Sequence, residues 1–321
     1  MPLLENDIKN KGIMAVTLNP CIDVTVSVES LIKGGLNRIK DQRSDPSGKG
    51  FNVAAAFSVL GGKATASGWI FDSDRQAFEA YLQHYNVKNA CVLVEGATRR
   101  NTKIRDISDQ SITEVNASGE PVDAHAIERL QNILNAKALH VGAMVFSGSV
   151  TKNLPPEIYA QLMNTLPARP FLILDTEKQW LSEGIKASPD LIKPNIKELL
   201  DVTGSKAKTH KQIVNTAREF AIPFGINVIA VTLGSEGALM VTKEESWYAK
   251  PTKVEVQSTT GAGDCFIAGI LTAMKENRPI SEWLRYGTAA AGGAVEKQGT
   301  QPPSKDNFER LLGAVEVSRV D

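Results

Sequence analysis

Cysteine is scarce in this chain. Only Cys21, Cys91 and Cys265 occur among 321 residues, an odd number at wide spacing, which excludes a disulfide framework as the basis of the fold. The four histidines are scattered and show no metal-ligand spacing with the cysteines. Net charge is absent: 36 Lys and Arg balance 36 Asp and Glu, so neither nucleic acid nor an acidic membrane is favoured electrostatically as a partner. No apolar run approaches the roughly 20 residues that a spanning helix needs. Met1–Lys11 is polar and mixed in charge, without the apolar centre of a secretion signal. Repeats, low-complexity tracts and long linkers are also lacking. What remains is 42% apolar and 22% charged, the composition of a globular protein with a sizeable core, expected in the cytoplasm.

The pattern alternates. Ile13–Leu18, Ala64–Ile70, Ala138–Val141, Phe171–Leu174, Leu191–Lys193 and Asn227–Thr232 read as short apolar strands. Segments 51–60, 74–85, 126–134, 156–164, 179–185, 211–221, 262–274, 280–296 and 305–315 read as helices. Such alternation predicts an α/β domain with a mostly parallel sheet covered on both faces. Ligands of such sheets sit at the carboxyl ends of the strands. Two stretches, 24–43 and 91–116, are strand-like with little helix. They predict a small separate sheet, able to act as a lid, to pair with a second copy, or to be mere decoration.

The most informative segment is Gln257–Ile270. Gly261, Ala262 and Gly263 lead into Asp264, and an apolar helical pattern follows at once. Glycines let backbone approach a ligand closely. A helix start offers unpaired N–H groups and the positive end of a dipole, which suit an anion. A carboxylate beside such a hole is repulsive unless it removes a proton from a nucleophile while the hole holds a phosphoryl group. The plainer alternative is a Gly-rich turn with an ordinary helix-start Asp. Cys265 adjoins it; the helix start should favour its thiolate, as a redox switch would need, but the expected role is a small buried packing residue.

Four further motifs fall on loops at strand ends or helix starts. Thr17–Asp23 follows the first strand, and Asp23 suits sugar hydroxyls or is a plain turn former, as an Asp after a strand more often is. Ser47–Ala54 holds Gly48, Lys49 and Asn52, a close-approach turn with a cation for phosphate and an amide for a hydroxyl. Lys193–Glu198 places Asn195 and Glu198 three apart, as a capping box or as a mostly outer-shell magnesium site. Thr232–Ala238 is a strand-to-turn connection whose Gly234 and Gly237 leave room for a nucleotide. Arg99, Arg100 and Lys103 lie on a strand-like stretch, where alternation sends Arg99 and Lys103 to one face and Arg100 to the other.

In this order, the motifs resemble the ribokinase/PfkB family of carbohydrate kinases over about residues 13–312. Ser258–Leu271 matches the C-terminal signature throughout. Asn-Pro-x-x-Asp, Gly-Lys-Gly-x-Asn and Lys-Pro-Asn-x-x-Glu appear in family order. Within the family the likeness is greatest to the 1-phosphofructokinase branch, with tagatose-6-phosphate kinase and the minor bacterial 6-phosphofructokinase close. Thr17–Asp23, Gly35–Arg38, Thr98–Lys103, Thr113–Asn116 and Ser147–Ser149 carry it.

The resemblance implies a ribokinase-like three-layer α/β fold over 12–321, with a β lid formed by 24–43 and 91–116. It implies Mg-ATP-dependent phosphorylation of a ketohexose phosphate, foremost fructose 1-phosphate to fructose 1,6-bisphosphate. Asp264 would be the base, with Gly261, Ala262 and Gly263 forming the anion hole. Asp23, Gly48, Lys49 and Asn52 would hold the sugar, and Arg99, Lys103 and Arg38 its phosphate. Lys193, Asn195, Glu198, Thr232, Gly234 and Gly237 would bind ATP, with Asn195 and Glu198 reaching Mg2+ through water. The small-molecule sugar phosphate would be the only partner beyond a second copy, joined as a homodimer through the lid.

Ser47, Phe71, Val150-Thr151 and Thr176-Glu-Lys depart from the family pattern, which leaves the sugar pocket open. A Walker A loop, the protein-kinase motifs and a third Rossmann glycine are all missing. The non-enzyme rival is a sugar-phosphate sensor that kept the fold; Asp264, Asn195 and Glu198 together argue against it.

Overall fold

The computed structural model describes residues 7–320; residues 1–6 of the polar N-terminal stretch and residue 321 of the expected domain lie outside it. The strands are β1 (Ile13–Thr17), β2 (Cys21–Val28), β3 (Ile39–Ser47), β4 (Ala64–Phe71), β5 (Lys88–Val94), β6 (Arg99–Asp106) and β7 (Ile112–Asn116). They continue with β8 (Ala143–Ser147), β9 (Phe171–Asp175), β10 (Leu191–Ile192), β11 (Val228–Thr232), β12 (Ala238–Val241), β13 (Ser246–Ala249) and β14 (Val317–Arg319).

The large sheet runs β14-β13-β12-β11-β10-β9-β8-β1-β4-β5. It is parallel from β5 to β11 and antiparallel from β11 to β14. The parallel centre is buried on both faces, which explains its unbroken apolar runs. Along β1, Ile13 and Ala15 join one core while Met14 and Val16 join the other. The first core is closed by helices Lys49–Val59, Arg75–His84, Ala262–Lys275, Ile280–Val295 and Lys305–Leu312. The second is closed by Ala124–Ala138, Ile158–Asn164, Lys178–Gly184, Ile196–Thr203 and His210–Ala221. The result is three layers.

The expected strand at 138–141 is displaced. Leu130, Leu134 and Ala138 continue one buried helical stripe, and the strand begins only at Ala143, in parallel register with Ile13 of β1. The antiparallel edge β12–β14 had no counterpart in the sequence pattern, because short edge strands lack a long apolar run. Tight closure of its first turn depends on Gly237, at φ 95°, where a Cβ would run into the Ala249 carbonyl.

A second sheet of four strands, β3-β2-β6-β7, stands apart. Here β2 and β6 are parallel, while β3 and β7 flank them antiparallel. Cys91–Val94, expected in this sheet, instead pairs with β4 at the edge of the large one. Strand β3 is rich in charge and carries Pro46, which its edge position tolerates. The small sheet and its loops leave Ile32, Leu36, Ile39, Ile112 and Val115 exposed.

Candidate active site

A cleft of about 910 Å³ opens between the small sheet and the carboxyl ends of the parallel strands. Asp23, Gly48, Lys49, Asn52, Arg99, Lys103, Lys193, Asn195, Glu198, Thr232, Gly261, Gly263 and Asp264 all line it. They come from strands, helix starts and loops spread along the chain from Asp23 to Asp264.

Asp264 sits in the first turn of helix Ala262–Lys275. Gly261 starts that helix at φ 80°, a left-handed conformation that a side chain disfavours. Ala262 turns its N–H back toward the Thr259 carbonyl at 3.4 Å, and it does not line the cleft. Asp264 is 5% exposed and accepts a hydrogen bond from Asn52 Nδ2 at 2.8 Å. Burial pushes its pKa up to about 6; Lys49 opposes the rise and Asp175 adds to it. A carboxylate so tuned is matched to proton abstraction near neutrality.

Asp175, at the end of β9, organises the cations. Its carboxylate lies 3.1 Å from Lys193 Nζ and 3.6 Å from Lys49 Nζ. Burial alone would raise the Asp175 pKa, but the two lysines hold it below the usual range. Burial likewise disfavours the Lys49 charge, yet Asp175, Asp264, Glu198 and Glu177 keep its pKa above the ordinary lysine value. Lys193 also lies over the glycine turn, 3.2 Å from where a Cβ on Gly263 would sit. Two ammonium groups and a helix start thus converge beside Asp264, an arrangement suited to a polyanion. Asp175 carried no motif of its own. Its only signal was an acidic residue at the carboxyl end of a buried parallel strand.

Asn195 and Glu198 form a reciprocal cap. Asn195 Oδ1 accepts from Glu198 N at 2.8 Å, and Glu198 Oε2 accepts from Asn195 N at 2.9 Å. Burial raises the Glu198 pKa, against the pull of the Asn195 N–H and the lysines. Both residues line the cleft. Among the described residues no group of three or more His, Cys, Asp or Glu could enclose a metal. So small a donor set fits only a hydrated magnesium, which Glu198 and Asn195 would hold through water.

At the other end, the small sheet presents Asp23, Asn101, Arg99 and Lys103. Lys103, 7% exposed, pairs with Asp23 at 3.3 Å, so its charge is engaged by that carboxylate. Arg99 donates to the Asn19 and Ala117 carbonyls and to Asn101. Arg100 points away and pairs with Asp74 at 2.8 Å. Arg38 is exposed in the loop between β2 and β3 and does not line the cleft, because that loop extends into solvent. Gly234 and Gly237 also stay outside it, in the β11–β12 turn; only Thr232 reaches the cleft. Cys265 is 1% exposed, as the small packing residue requires, and burial raises its pKa against the thiolate that a helix start would favour.

Residues 14–307 match the model of the pfkB family carbohydrate kinases. The chain is 29% identical over 309 residues to a 1-phosphofructokinase of Escherichia coli strain K12, covering 96% of this chain and 98% of that one. Phosphofructokinase-2 from Escherichia coli in complex with potassium superimposes with a TM-score of 0.84 at 27% identity, over 94% of this chain and 98% of that one. Ribokinase from Thermotoga maritima shares the fold at a TM-score of 0.76 and 22% identity, over 94% and 99%. The three-layer architecture is therefore ribokinase-like.

Proposed function

Because this chain belongs to the pfkB family of carbohydrate kinases and is a sugar kinase, a phosphotransferase with an alcohol group as acceptor, we propose that its substrate is a ketohexose phosphate, foremost fructose 1-phosphate. The observation that carries the reading is the buried Asp264 beside a glycine turn that Lys193 overlies, with Lys49 acting on the same carboxylate. Asp264 takes the proton from the acceptor hydroxyl as that oxygen bonds to the γ-phosphorus of ATP. The bond from phosphorus to the ADP oxygen breaks, and the proton stays on Asp264 until it leaves to solvent. The products are fructose 1,6-bisphosphate and ADP.

The N–H groups at the start of helix Ala262–Lys275, together with Lys193 and Lys49, balance the charge on the moving phosphoryl group. Asn195 and Glu198 would hold a magnesium ion through water, and that ion would supply further charge neutralisation on the ATP phosphates. Asp23 and Asn52 accept and donate to the sugar hydroxyls, and Arg99 faces the phosphate already present. Thr232 lies at the nucleotide end. The exposed Ile32, Leu36, Ile39, Ile112 and Val115 on the small sheet and its loop support a homodimer through that sheet, since a partner would cover them.

Turnover of fructose 1-phosphate, fructose 6-phosphate, tagatose 6-phosphate and fructose, measured side by side with Mg-ATP, tests the assignment. Fructose 1-phosphate should give the largest kcat/KM. Preference for unphosphorylated fructose would sink it.

A further inference from the structure

We infer that Asn101 is a positioning residue that couples the sugar-hydroxyl and sugar-phosphate ends of the cleft; this rests on the sugar-phosphate reading above. Asn101 lies in the middle of β6, two residues from Arg99 and two from Lys103, so all three point to the cleft face. In the parallel pairing of β2 with β6 it stands opposite Asp23. Its amide is used at both ends. Nδ2 donates to Asp23 Oδ1 at 3.2 Å, and Oδ1 accepts from Arg99 Nη1 at 3.1 Å.

That orientation is chemically determined. A carboxylate takes only donors and a guanidinium gives only donors, so the amide cannot flip without facing like against like. Asn101 therefore joins an anion to a cation that have no direct contact of their own. The Arg99 fork is held on its other edges by Asn19 O, at 3.1 Å from Nη2 and 3.3 Å from Nε, and by Ala117 O at 2.9 Å. Asp23 is held from behind by Lys103 at 3.3 Å. Asn101 sets the spacing between these two anchored groups, and that spacing selects a sugar of matching length between hydroxyl and phosphate. A planar amide does this without adding charge, which would strengthen one neighbour and repel the other.

The test is a double-mutant cycle between Asn101→Ala and Arg99→Ala, read on whichever of the three sugar phosphates wild type prefers. Alone, Asn101→Ala should raise the sugar-phosphate KM roughly tenfold and leave kcat and the ATP KM within about threefold. In the Arg99→Ala background the same change should cost less than about threefold, because contacting residues of one network are not additive. Asn101→Asp, which keeps the shape but sets a second carboxylate against Asp23, should be worse than Asn101→Ala. Thermal melting of each variant separates these effects from loss of fold. Full additivity, or Asn101→Asp matching wild type, would overturn the coupling while leaving the substrate reading intact. Equal use of fructose and its phosphates by wild type would overturn both.

Discussion

Asn52 Nδ2 donates to Asp264 Oδ2 across 2.8 Å, joining residues 212 positions apart in the chain. One end sits on helix Lys49–Val59 and the other on helix Ala262–Lys275, and both helices start at the same cleft. The bond fixes the carboxylate and favours its ionised form, against a burial that favours the neutral one.

That balance sets an expectation for Asp264→Asn. Turnover should fall by roughly two or more orders of magnitude, the usual size for a base, while ATP affinity stays within a few-fold. In wild type, kcat/KM should decline as pH falls through about 6, because the base of the free enzyme must be unprotonated to act. Turnover of the variant within tenfold of wild type would remove Asp264 from this role.

The same residue should cost stability. Its folded pKa, about 6, lies above its ordinary 3.8, so the folded state holds the proton more tightly. Stability from this group is gained as pH falls through 6 and is absent above it. Asp264→Asn should therefore melt a few degrees higher than wild type at pH 8. A lower melting temperature at pH 8 would contradict the sign.

Asp175→Asn leaves Lys193, 6% exposed, without its salt-bridge partner. Breaking a buried pair in this way costs about 3–5 kcal/mol. The variant should melt markedly lower, and its ATP KM should rise. Because the Asp175 pKa is depressed, its stabilisation is present at neutral pH and is lost only as pH falls below the usual carboxylate range. A melting curve unchanged at pH 7 would show that the lysines need no shared partner.

Arg99→Ala and Arg100→Ala make a matched pair on opposite faces of one strand. The first should cost about 2–4 kcal/mol in kcat/KM for the sugar phosphate, with the ATP KM little changed. The second removes a surface pair with Asp74 and should be nearly silent. The reverse pattern would place the substrate on the other face of the small sheet.

The small sheet should close over bound substrates, because a kinase that admits water spends ATP on hydrolysis. Hydrogen exchange in 24–43 and 99–116 should slow when sugar phosphate and a nonhydrolysable ATP analogue bind together. Unchanged exchange in both segments would count against closure.

Much of this was legible in the sequence, and for physical reasons. Parallel strands buried on both faces must be continuously apolar, so β1, β4, β9 and β11 announce themselves. Residues that meet a ligand at strand ends need glycines and polar groups at fixed spacing, so Gly261–Asp264, Gly48–Asn52 and Asn195–Glu198 stand out. Strand alternation alone separated Arg99 from Arg100. Tertiary structure decided what local pattern cannot carry. It turned Cys91–Val94 into an edge strand of the large sheet, because only the partner β4 distinguishes one sheet from the other. It left Arg38 in solvent and put Asp175 between two lysines, since neither exposure nor long-range pairing leaves a trace in spacing. It raised the pKa of Asp264 and of Cys265 by burial, a property of the packed interior rather than of the residues beside them.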